Sequence, residues 1–123
     1  MKSDVSDLLK KMQLDWDERA RENARFYIVD SRENWTEDEF YRLGQQTVAQ
    51  EILTDMHNVC QGREPQQMKV LEIGCGAGRV TQALADLFGE VHAVDVSGEM
   101  VRLARAACAD NQTPSSTRTM AWI

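Results

Sequence analysis

Two histidines and three cysteines in 123 residues leave little with which to build a metal centre. The cysteines, Cys60, Cys75 and Cys108, are odd in number and none pair at C-x-x-C spacing. That argues against both a disulfide scaffold and a zinc site, and no metal is expected. His57 and His92 are scattered and read as ordinary, partly exposed residues. No run approaches the roughly 20 apolar residues that span a bilayer. The opening Met1-Lys2-Ser3-Asp4-Val5-Ser6-Asp7 is charged where a signal peptide would be continuously apolar. A cytoplasmic location without a membrane partner is therefore expected. Basic residues are also in the minority: 14 Lys and Arg against 20 Asp and Glu give a net charge of −6. Nucleic-acid binding rests on phosphate neutralisation by clustered cations, and no such cluster is evident.

What is present suits a globular fold. Hydrophobic residues make up 42% of the chain and charged residues 28%, close to ordinary usage. The length allows one domain of modest size, or part of a larger one. Val5, Leu8, Leu9 and Met12 fall at helical spacing, as do Trp16, Ala20, Ala24, Tyr27 and Ile28. Two short amphipathic helices, or one bent one, fit residues 3–28, with apolar stripes expected to cover a neighbouring surface. Thr36-Glu37-Asp38-Glu39 is a capping-box pattern. It predicts a helix from about 37 to 60, stopped near Gly62 and Pro65. Residues 1–62 thus form a helical leader.

The chain changes character at Lys69. Val70-Leu71-Glu72-Ile73 is a short apolar run before a glycine-rich turn, and Val80, Ala83, Leu84 and Leu87 then recur at helical spacing. Val91-His92-Ala93-Val94 reads as a second strand ending at Asp95, and Ser97 can cap a second helix through Met100, Val101, Leu103 and Ala104. Strand, helix, strand, helix over 63–110 predicts parallel strands with crossover connections, an α/β Rossmann-like sheet. Residues 111–123 read as a polar tail with a strand remnant at Met120–Ile123.

The informative segment is Glu72-Ile73-Gly74-Cys75-Gly76-Ala77-Gly78-Arg79. Alternate glycines let the backbone turn sharply and let a ligand approach the main chain. The helix that follows aims free N–H groups at that ligand. The dinucleotide pattern G-x-G-x-x-G needs a third glycine at position 79 or 81, where Arg79 and Thr81 stand instead. A nicotinamide-dependent oxidoreductase is correspondingly disfavoured. A phosphate loop ending in Gly-Lys-Ser/Thr is absent too. The carboxylate of Glu72 would repel a pyrophosphate but attract an ammonium. Asp95, 23 positions later at the end of the second strand, can accept both hydroxyls of a ribose. The expected ligand is a nucleoside that carries a cation. Cys75, between two glycines, reads as a small packing residue rather than a nucleophile. Arg79 reads as a surface or helix-start residue.

This combination resembles class I S-adenosylmethionine-dependent methyltransferases. Residues 70–78 look like the family's first motif, and 91–97 with Met100 look like its second. The resemblance implies a methyl transfer by in-line displacement to an unidentified, small-molecule acceptor, with S-adenosylmethionine as cofactor. It implies cofactor contacts from Glu72, Gly74, Cys75, Gly76 and Gly78 near the methionyl end. Asp95 would hold the ribose, and Val96 and Met100 would flank the adenine. Trp16, Asp17 and Tyr27 become candidate lid residues. No general base can be assigned.

The family sheet has seven strands. The tail does not look like the third, and nothing corresponds to the fourth. An incomplete class I fold from a truncated chain is therefore expected. Its first strand becomes an open edge that invites self-association. The alternative to an enzyme is a non-catalytic fragment serving as a cofactor-binding or interaction module.

Overall fold

The computed structural model describes residues 2–110 and 119–122, with side chains over 4–109. Strand β1 (Lys69–Ile73) and strand β2 (Glu90–Val94) run parallel, with Val70 opposite Val91 and Glu72 opposite Ala93. Helix α4 (Arg79–Leu87) connects them, and helix α5 (Gly98–Asp110) follows β2. Period-two alternation decides which side is buried. Val91 and Ala93 are almost fully buried beneath Ala83 and Leu84 of α4 and Ala104 of α5.

The opposite face is open. Leu71 is 62% exposed and Ile73 79% exposed. Parallel sheets are normally covered on both faces, and β1 is an edge strand among the described residues. Thr119–Trp122 forms β3, parallel to β2 on its far side, with Val91 opposite Met120. A strand stands where the strand remnant at Met120–Ile123 was expected, beginning one residue earlier. The sheet order is β1-β2-β3.

The leader begins with α1 (Lys2–Ile28), one helix bent at Asn23, which has φ −162° and ψ 79°. Helical geometry is interrupted at that residue, so α1 is two helical stretches meeting at a kink, and the two alternatives converge. Asn23 turns its side chain to local backbone, donating to the Glu33 carbonyl and accepting from the Phe26 N–H. The two stripes of α1 differ. Trp16, Ala20, Ala24 and Ile28 pack against Phe40, Ala77 and Met100. Val5, Leu8, Leu9 and Met12 are exposed, contrary to the expectation that they cover a surface. Periodicity marks a face but cannot supply its partner.

Helix α2 (Glu37–Glu51) starts on the expected capping box, with Thr36 Oγ1 accepting from the Glu39 N–H and Glu39 accepting from the Thr36 N–H. It does not reach residue 60. The backbone leaves helical geometry at Ile52 (φ −116°, ψ −52°), makes one 3-10 turn at Leu53–Asp55, and resumes as α3 (Met56–Cys60). The Thr54 hydroxyl bonds back to the Gln50 carbonyl at 2.8 Å, the local competition that loosens a helix. Val48 of α2 joins the core of α4 and β2.

Candidate functional site

Three glycines build the turn between β1 and α4. Gly74, Gly76 and Gly78 all have positive φ, at +77°, +54° and +87°. Two of them show why a side chain would fail. At Gly78 an added Cβ would meet Ala104 Cβ at 3.0 Å and Cα at 3.1 Å, so this position seats the turn on α5. At Gly74, which helps line the cavity beside the turn, an added Cβ would meet nothing within 4 Å, so the positive φ alone disfavours a side chain. The N–H groups of Gly74 and Cys75 both donate to the Val94 carbonyl, at 2.8 and 3.0 Å, tying the turn to the end of β2.

That cavity measures about 670 Å³, within the range of small-molecule sites. Its floor is the turn together with Glu72, Asp95, Val96 and Met100, and its wall is Trp16, Tyr27 and Ile28 of α1. The sequence-derived site residues Glu72, Gly74, Cys75, Gly76, Asp95, Val96 and Met100 all meet there. Gly78 does not line it and serves packing instead.

Asp95 is held by the backbone. Its Oδ2 accepts from the Gly76 N–H at 2.9 Å and its Oδ1 from the Ser97 N–H at 2.9 Å. A carboxylate has about four lone-pair sites, so each oxygen keeps capacity for a further donor. Glu72 accepts a short hydrogen bond from the hydroxyl of fully buried Thr81. Burial pushes the Glu72 carboxyl above the usual carboxylate range, opposed by that bond and by Arg79. The Cys75 thiol is pushed up to about 12, first by burial and then by Asp95 and Glu72. A thiol so protonated is a poor nucleophile, in keeping with a packing role.

Asp17 fastens the leader to the segment that follows Asp95. Ser97, fully buried, caps α5 by accepting from the Met100 N–H at 3.1 Å, and donates its hydroxyl to Asp17 Oδ1 at 2.5 Å. The same Asp17 oxygen accepts from the Glu99 N–H at 3.2 Å. The Ser97 bond is the main cause holding the Asp17 carboxyl below its ordinary range. Asp17 therefore ties the helix bearing Trp16 to the segment bearing Asp95. Asp17→Ala should free α1 at a cost of ~1 kcal/mol, read as roughly fivefold faster limited proteolysis within the leader. An unchanged cleavage rate would deny Asp17 this part.

Two contacts were not visible in the sequence. The Tyr41 hydroxyl on α2 donates to the Ala77 carbonyl at 2.8 Å, bracing the turn from outside. Arg79 is half-buried and lines the cavity rather than sitting on the surface. Neither has a local motif; each depends on a contact more than thirty positions away.

Residues 70–121 match the family model described as "Methyltransferase domain". A ubiquinone biosynthesis O-methyltransferase from Xanthomonas axonopodis pv. citri (strain 306) is 40% identical over 42 residues, which is 34% of this chain and 18% of that protein. Among solved structures, magnesium protoporphyrin IX methyltransferase from Synechocystis PCC 6803, with bound SAH, aligns over 94% of this chain and 50% of its own at TM-score 0.61 and 20% identity. Haemonchus contortus phosphoethanolamine N-methyltransferase 1 aligns over 95% of this chain and 20% of its own, also at 0.61, with 15% identity. The chain thus spans 18% of the curated relative and half of the first of these structures. No helix among the described residues is long and apolar enough to cross a membrane. Residues 70–121 thus match a methyltransferase-domain family model, and the described residues share their fold with methyltransferases of known structure, of which the chain spans a part.

Proposed function

We propose that this chain binds S-adenosylmethionine and serves methyl transfer to a small-molecule acceptor. The observation that carries the reading is the cavity itself, which gathers Glu72, the side-chain-free surface of Gly74, Asp95 and Met100 around one volume. These residues fit the cofactor. The space a Cβ at Gly74 would fill admits a ligand against the main chain. The remaining lone pairs of Asp95 suit the two hydroxyls of a ribose. Val96 and Met100 offer apolar surface to an adenine, and Glu72 offers an anion to an ammonium. When bound, the cofactor supplies an electrophilic methyl group on sulfur. The protein's part is to hold the ligand in one orientation and to keep water from it, through the floor at 63–110 and the leader wall at 1–62. Location in the cytoplasm follows the same reading.

The acceptor class rests on the acidic net charge and on the enclosing wall of α1. The named relatives act on compounds such as magnesium protoporphyrin IX and phosphoethanolamine. The test is transfer of a labelled methyl group from S-adenosylmethionine to a panel of small hydroxyl, amine and carboxylate compounds, with RNA and protein as comparison acceptors. Label in a small molecule supports the proposal, and label in RNA or protein alone contradicts the acceptor class.

A second reading is favoured by the exposed Leu71 and Ile73 on β1, an edge strand among the described residues. It makes the chain an interaction module that self-associates through this edge and transfers no methyl group. A folded, self-associating protein silent in the same panel would support it.

A further inference from the structure

The α1 wall of the cavity is interrupted. Trp16 lies before the break at Asn23 and Tyr27 after it, and both line the cavity. One side chain joins the two rings. The Arg19 guanidinium carbon stands 4.6 Å from the centroid of the Trp16 ring and 5.7 Å from that of Tyr27. Both distances fall within the roughly 6 Å over which an aromatic face holds a cation. The contact with Trp16 is local, between neighbours three apart on one helical stretch. The contact with Tyr27 is not. Residues eight apart are roughly 12 Å apart along a straight helix, and this contact is made across the break. The Tyr27 hydroxyl crosses it too, donating to Glu22 Oε2 at 3.3 Å. Each stretch also has its own anchor. Asp17 accepts from the Ser97 hydroxyl, and Arg25 donates to the Trp35 carbonyl at 2.6 Å. Arg19 is half-buried and does not itself line the cavity.

We propose that Arg19 is a positioning residue: it latches Trp16 to Tyr27 across the break in α1 and so sets how often this wall parts to admit and release the ligand. This rests on the reading of the cavity as an S-adenosylmethionine site and goes further by assigning the residue that governs exchange. Because Arg19 stands outside the cavity, the latch is made whether the cavity is empty or filled, and its loss favours neither state. Entry and release then rise together with the open fraction, and their ratio, the affinity, hardly moves. Each ring contact multiplies the closed population by about two- to fivefold.

Two measurements on the full chain test this. Stopped-flow mixing with S-adenosylhomocysteine, followed by tryptophan fluorescence, gives the association and dissociation rates. Hydrogen exchange over residues 16–28 of the ligand-free chain, read by mass spectrometry, reports the latch with no ligand present. Arg19→Met keeps an unbranched side chain of good helix propensity and removes the cation. It should raise both rates by about three- to tenfold, keep the dissociation constant within about twofold, and speed exchange over 16–28 by a similar factor. Arg19→Lys should recover part of each change, since a compact ammonium keeps the charge without the flat guanidinium that two rings can share. Either the rates or the exchange staying at the wild-type value in Arg19→Met overturns the proposal. A dissociation constant that rises with the dissociation rate alone also overturns it, since Arg19 would then hold the ligand and not the wall. Failure of the folded wild-type chain to bind S-adenosylhomocysteine defeats the cofactor reading instead. The exchange measurement then decides the latch by itself, faster exchange in Arg19→Met supporting it and unchanged exchange overturning it.

Discussion

Gly44→Ala should lower the thermal midpoint by roughly 10–20 °C, taking about 3 kcal/mol at the 4–8 °C per kcal/mol of a small domain. The direction is the informative part. At an exposed position inside a helix, replacing glycine with alanine stabilises by up to about 1 kcal/mol. Here the new Cβ would stand 1.8 Å from the Arg79 carbonyl oxygen and 2.5 Å from its carbonyl carbon. Those atoms belong to backbone at the first turn of α4, so no rotamer change relieves the overlap. Helix α2 has to move away from α4, and Phe40 and Val48 on the same buried face lose their packing. The loss reaches the site as well. Thr47 holds Arg79 and Tyr41 holds Ala77, both from α2. Thermal denaturation followed by circular dichroism checks the claim; an unchanged or raised midpoint would show that α2 does not need this approach.

Asp95→Ala should weaken S-adenosylhomocysteine binding by roughly 100-fold or more, the worth of two hydrogen bonds to a charged group. Asp95 also accepts from the Gly76 and Ser97 N–H groups, so alanine disturbs the turn too. A melting curve beside each titration separates the two effects. Asp95→Asn keeps one accepting oxygen and the side-chain shape, but its NH2 group cannot accept from the second backbone N–H. The amide variant should unfold at a midpoint between those of the wild type and Asp95→Ala and, while folded, bind at least about tenfold more weakly. Asn binding as tightly as Asp would leave the carboxylate with a structural part alone. Titration calorimetry beside a melting curve on each variant gives both readings.

Much of the site was legible because its signals are local. The glycines at 74, 76 and 78 announce positive φ between a strand and a helix. Asp95 announces a strand end, and Thr36 with Glu39 announces a helix start. Each of these depends on neighbours within a few positions. What remained hidden depends on distant partners. Gly44 reads as a weak spot in a helix until α4 is seen against it. Ser97 reads as a cap, which it is, but its bond to Asp17 spans 80 positions. Arg79 reads as a surface or helix-start residue; it does open α4, while its bond to Thr47 of α2, 32 positions away, leaves it half-buried. The break at Ile52 was hidden for another reason. The apolar stripe continues through it, and periodicity tolerates a 3-10 turn that keeps the same face inward. The exposed Leu71 and Val5–Met12 stripes show the converse limit, since an apolar pattern specifies a face to be covered and not what covers it.

The central claim is that the first 110 residues form a pocket for a nucleoside bearing an amino acid, not for a dinucleotide. Calorimetric titration of the 123-residue chain with S-adenosylhomocysteine, beside an identical titration with NADH, tests it most directly. Saturable one-to-one binding of S-adenosylhomocysteine and no saturable heat with NADH are expected. A folded protein that binds NADH as well, or that binds neither, would contradict it.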